Sequence, residues 1–152
     1  MNILVLEDDP VAFNIIDYLN SCGYKVWHAQ SLLDVAYFLE IAPGMNFFDK
    51  IMFDVSVPTE SFSLFQNAEF EYGKKYRLSG FEFVAKNYNY FVNLIQKKKI
   101  TLFTAFKVTL FDKVKDEKER RILEEMNILD KGSDDFMMEM LSFLNGWEVE
   151  YV

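Results

Sequence analysis

Short apolar runs alternate with longer amphipathic stretches along this chain. Residues 2–7, 26–29, 50–54, 100–104 and 127–130 are runs rich in Ile, Leu, Val and Phe, too short for helices and closed by polar or turn residues; each reads as a strand. Between them the pattern turns helical. Asp9 and Pro10 open a first helix, which runs to about Cys22 and stops at Gly23. Ser31 and Asp34 form a Ser-x-x-Asp start for a second, ending near Pro43-Gly44. Ser79-Gly80 opens a long third helix, with Phe81, Val84, Tyr88, Phe91 and Ile95 at helical spacing. Residues 112–126 predict a charged fourth helix. Ser133 caps a fifth, whose stripe is Phe136, Met137, Met140, Leu141 and Leu144 and whose stop is Gly146. The alternation is (βα)₅, an α/β chain with a parallel sheet and right-handed crossovers.

Four of the strands stop at a reactive group. Ile3-Leu4-Val5-Leu6 runs into Glu7-Asp8-Asp9, Ile51-Met52-Phe53 into Asp54, Ile100-Thr101-Leu102-Phe103 into Thr104, and Ile128-Leu129-Asp130 into Lys131. In an open parallel sheet, ligands bind outside the carboxyl ends of the strands. These groups therefore arrive at one edge. Carboxylates from Glu7, Asp8 and Asp54 make a hard oxygen site suited to a divalent cation such as Mg²⁺. A lysine and a hydroxyl beside them can hold a transferred phosphoryl group.

The order of these residues resembles the receiver domain of two-component response regulators, over roughly residues 2–145. Flanking positions match as well. Pro10 follows the acidic stretch, Pro58 lies four after Asp54, Ala105 follows Thr104, and Gly80-Phe81-Glu82 opens the third helix. The resemblance implies a flavodoxin-like, doubly wound sheet of strand order 2-1-3-4-5. It implies Mg²⁺ held by Glu7, Asp8, Asp54 and the backbone carbonyl of Ser56. It implies phosphorylation of Asp54 from a phosphohistidine donor, with Thr104 and Lys131 contacting the phosphoryl group. The partners implied are a sensor histidine kinase or histidine phosphotransfer protein and a downstream protein. The role implied is signalling through self-catalysed phosphorylation and dephosphorylation, not metabolism.

Composition narrows the picture further. A net charge of −8 over 152 residues argues against a basic nucleic-acid face. No apolar run reaches the length of a membrane span, and the N-terminus enters a strand directly. One cysteine, Cys22, cannot form an internal disulfide. A single cytoplasmic domain over 1–152, without a following effector domain, is the expectation. His28 reads as a partly buried strand residue away from the acidic edge, and Lys97-Lys98-Lys99 as a solvated helix end.

Residues 59–79 interrupt the alternation between the third strand and the third helix. The stretch carries Phe62, Phe65, Phe70, Tyr72 and Tyr76, and it is expected to pack beside Asp54 and limit access to it. Other positions depart from the receiver pattern. Ile128 stands where receivers carry an aromatic switch residue, and Gly132 where a proline follows the lysine. Ser56 and Phe106 occupy the two positions at which receivers vary to tune phosphoryl lifetime. An alternative reading is a receiver-fold interaction module that works without phosphate. A phosphohydrolase of the haloacid-dehalogenase type fits poorly, because it needs an aspartate where Ser56 stands.

Overall fold

The computed structural model describes residues 1–8, 13–56, 78–105 and 107–146. Asp9, Pro10, Pro58, Phe106 and the insert up to Arg77 lie outside the described residues. Five strands, β1 (Asn2–Leu6), β2 (Lys25–Ala29), β3 (Lys50–Asp54), β4 (Ile100–Thr104) and β5 (Ile128–Asp130), form one parallel sheet. Its order is β2-β1-β3-β4-β5, as the resemblance implied.

The strands alternate between two apolar layers. Ile3, Val5, Met52, Phe103 and Leu129 face α1 (Phe13–Ser21) and α7 (Phe136–Asn145), where Leu19, Met140 and Leu144 pack on them. Leu4, Leu6, Ile51, Phe53, Leu102 and Ile128 face the other way, toward α2 (Leu32–Glu40), α3 (Ser79–Lys86), α4 (Tyr88–Gln96), α5 (Lys107–Lys113) and α6 (Glu117–Glu125). Burial on both faces is why these strands read as continuous apolar runs. Among the described residues, no helix is long and apolar enough to cross a membrane.

Caps explain several boundaries. The Ser31 hydroxyl accepts from the Asp34 N–H and starts α2. Gly146 ends α7 in the left-handed region, at φ 70°. Three sequence expectations need correction. The long third helix is two, α3 and α4, broken at Asn87, whose side-chain amide donates to the Phe83 carbonyl at 2.8 Å. An Asn offering the backbone a local bond competes with the helical ladder. The expected helix over 112–126 is also two, because the Asp116 carboxylate accepts from the Glu119 N–H at 3.0 Å and caps α6 anew. At the start of α7, Asp135 holds the cap position, and the Ser133 hydroxyl, two residues earlier, accepts from the Asp135 N–H.

A cleft of about 310 Å³ lies at the amino ends of the strands, lined by residues that include Lys50, Lys98 and Phe143. The carboxyl ends of α4 and α7 meet there, so the lysines offset the negative ends of the helix dipoles. The edge with the acids is the opposite one.

Helix α3 begins hard against the end of β3. The Gly80 N–H donates to the Val55 carbonyl at 2.8 Å. A Cβ at Gly80 would lie 2.0 Å from the Asp54 carbonyl oxygen, which is backbone and cannot move aside alone. Gly80→Ala should therefore destabilise the fold by about 2 to 4 kcal/mol in denaturant titrations. A loss near zero would mean that α3 is free to slide away from Asp54.

Candidate functional site

Strand alternation builds the site. Glu7, Asp54 and Lys131 each lie two residues beyond a position on the α1/α7 face, namely Val5, Met52 and Leu129. Their side chains consequently leave the sheet on the same side. Glu7 is fully buried, Asp54 is 7% exposed and Lys131 is half-buried. The Lys131 ammonium bridges the two acids, donating to Glu7 Oε2 at 2.5 Å and to Asp54 Oδ2 at 3.0 Å. It also lies 4.8 Å over the centre of the Phe103 ring. The other Asp54 oxygen, Oδ1, accepts from the Ser56 N–H at 3.1 Å, which fixes the carboxylate plane.

Asp8, half-buried, completes an acidic cluster. One carboxylate oxygen from each of Glu7, Asp8 and Asp54 lies within 4.8 Å of the others. Such spacing suits three oxygens sharing one small cation, and the donor set is the hard one that Mg²⁺ prefers.

Thr104 is placed differently. It is buried, but its strand parity matches Leu102, so it points to the other face. There it lines a cleft of about 100 Å³ with Val55, Ser56, Leu78, Thr109, Leu110 and Lys113. Its carbonyl accepts from the Lys131 N–H at 2.9 Å and ties the ends of β4 and β5 together. The structure thus gathers Glu7, Asp8, Asp54 and Lys131, and places Thr104 in the adjoining cleft, which it shares with Ser56. Ile128 is buried against Leu102 in the core, without a ring to exchange places with Thr104.

His28 corrects the sequence reading. It lies beside the acidic edge, not away from it, with Nε2 2.7 Å from the Glu7 carbonyl oxygen. Its register opposite Val5 was the signal that could have found it.

Burial and the neighbouring Asp54 carboxylate push Glu7 up from its ordinary 4.5 to about 7, against the pull of Lys131. For Lys131, burial works to lower the ammonium, but the charges of Asp54 and Glu7 outweigh it and hold it above its ordinary value.

The raised Glu7 sets a sign for stability. Between about 4.5 and about 7 the folded protein keeps a proton that the unfolded chain has released. Stability should therefore fall as pH rises through this window, and stay lower above it. In EDTA, Glu7→Gln should flatten that slope, a relative gain on the order of 1 to 3 kcal/mol near pH 8. Denaturant midpoints across the window measure it, and an unchanged slope in the variant would exclude Glu7 as its source.

No family model matches the chain, and no curated protein matches it either. Solved structures do. The non-phosphorylated HemR receiver domain of Leptospira biflexa is 15% identical, with a TM-score of 0.54 over 99% of this chain and 98% of that one. The receiver domain of the sensor histidine kinase PA1611 of Pseudomonas aeruginosa PAO1, solved with a magnesium ion in its active-site cleft, is 21% identical, with a TM-score of 0.53 over 96% and 95%. The RcsB response regulator of Salmonella typhimurium is 16% identical, with a TM-score of 0.60 over 99% of this chain and 63% of that one. At these identities the likeness is one of fold, and the fold of this chain is that of the response-regulator receiver domain.

Proposed function

We propose that this chain is a phosphoacceptor receiver that takes a phosphoryl group onto Asp54 from a phosphohistidine donor and signals by binding a partner. The observation that carries the reading is the meeting of three carboxylates, Glu7, Asp8 and Asp54, with Lys131 at the carboxyl edge of a receiver-fold sheet. Glu7, Asp8 and Asp54, with the Ser56 backbone carbonyl, would hold Mg²⁺, whose charge offsets that of the phosphoryl oxygens.

The chain's own residues supply the rest by position. The Ser56 N–H orients Asp54 through Oδ1. In the transfer, an Asp54 carboxylate oxygen forms the new O–P bond while the P–N bond of the donor imidazole breaks. The electron pair of that bond goes to the imidazole nitrogen. Lys131, already on Asp54, keeps its positive charge and follows the phosphoryl oxygens. Thr104 lines the cleft with Ser56 and Leu110, and a shift of the β4–α5 turn would carry its hydroxyl onto the phosphoryl group. That shift is a means by which phosphate at Asp54 is felt in α5, α6, β5 and α7, the surface proposed for the downstream partner. The kinase or phosphotransfer protein, the signalling role and a cytoplasmic setting belong to the same proposal.

Intact mass after incubation with Mg²⁺ and a small acyl phosphate tests the reading. Wild type should gain one phosphoryl adduct, and Asp54→Ala none. No adduct on wild type, with partner binding intact, would favour the phosphate-independent interaction module, which the ring-free Ile128 permits.

A second measurement concerns Thr104 and Lys131. Beryllofluoride with Mg²⁺ should shift the amide resonances of both residues, and those of Leu110 with them. Bound beryllofluoride that leaves Thr104 and Lys131 unmoved would remove them from the phosphoryl site.

A further inference from the structure

The β1–β2 ladder ends at Glu7. The Glu7 N–H still donates to the Ala29 carbonyl at 2.9 Å. Beyond that point β2 turns away into α2. The Gln30 N–H goes to the Asp34 carboxylate at 3.0 Å, and the Ser31 hydroxyl caps the helix. At this place a side chain comes to the Glu7 carbonyl, for His28 Nε2 lies 2.7 Å from it. A carbonyl oxygen only accepts, so the ring proton sits on Nε2.

That carbonyl belongs to the peptide joining Glu7 to Asp8. A peptide plane held in place fixes ψ of Glu7 and φ of Asp8, the two torsions that set the direction in which the Asp8 side chain leaves relative to that of Glu7. His28 is half-buried, and its register partner is Val5, so it stands on the same face as Glu7, Asp54 and Lys131. The ladder itself does not need the ring. Five paired positions from Asn2 to Leu6 and the Glu7-to-Ala29 bond already hold β1 to β2.

We infer that His28 is a positioning residue for the acidic pair, holding the Glu7–Asp8 peptide so that both carboxylates meet Asp54 around one divalent cation. The inference rests on the reading of the acidic edge as a cation site. Groups behind metal ligands act in this way, by fixing direction without touching the ion.

Mg²⁺ titration of the full chain by calorimetry tests it. His28→Ala should weaken Mg²⁺ about fivefold, the size expected from one lost hydrogen bond. His28→Gln, whose amide nitrogen can stand in the place of Nε2, should return within about twofold of wild type. Melting in EDTA should be nearly the same for all three, which separates positioning from fold stability. Equal affinity in His28→Ala, or His28→Gln as weak as His28→Ala, overturns the inference. Asp8→Ala run alongside separates the two layers of the argument. If it binds Mg²⁺ like wild type, the acidic edge is not the cation site, and the positioning role falls with it. Should His28→Ala fail to fold, the wild-type imidazole decides by nitrogen-15 NMR. A proton on Nε2 and a shift of that nitrogen on adding Mg²⁺ are the expected result, and a proton on Nδ1 overturns the role.

Discussion

Two buried carboxylates a few ångströms apart would repel each other, and the Lys131 ammonium between Glu7 and Asp54 is what allows them to stay. Burying an unpaired charge is costly, and breaking such a pair leaves that cost exposed. Much else follows from this triad. Lys131 can reach both acids only because its backbone N–H is held by the Thr104 carbonyl and β5 is registered on β4. Glu7 and Asp54 can meet only because β1 and β3 are neighbours and both side chains leave on the α1/α7 face. One positive charge shared by two acids also leaves a net negative site. Burial, and after it the Asp54 carboxylate, raises Glu7 against the pull of Lys131, and the excess of negative charge is of the kind that favours a cation.

Much of this is legible in the amino-acid sequence. The strands were legible because each is an uninterrupted apolar run ending in a polar residue, and burial on both faces makes that contrast sharp. The convergence of Glu7, Asp8 and Asp54 followed from strand ends alone. Helix interiors were harder. Asn87 and Asp116 occupy positions that a solvated helical face also fills with polar residues, so their capping bonds do not stand out from the pattern. The face on which Thr104 emerges was decided by counting in twos from Leu102, and a list of strand ends does not contain that count. His28 was misplaced for the same reason: its register opposite Val5, not its distance along the chain, puts it beside Glu7.

The contact between Gly80 and the end of β3 has a consequence for how this protein can vary. The Gly80 N–H on the Val55 carbonyl, and the bare Cα of Gly80 against the Asp54 carbonyl, join the two ends of the intervening stretch directly beside the acid. What lies between Ser56 and Leu78 thus starts and finishes at fixed points that do not depend on its length. Closing a longer flexible loop costs only about 0.6 kcal/mol for each doubling. A connection pinned in this way can grow, shrink or change its composition while the geometry around Asp54 stays where it is. The β3–α3 junction is therefore a place where new recognition can be added to a receiver sheet without redesigning its chemistry.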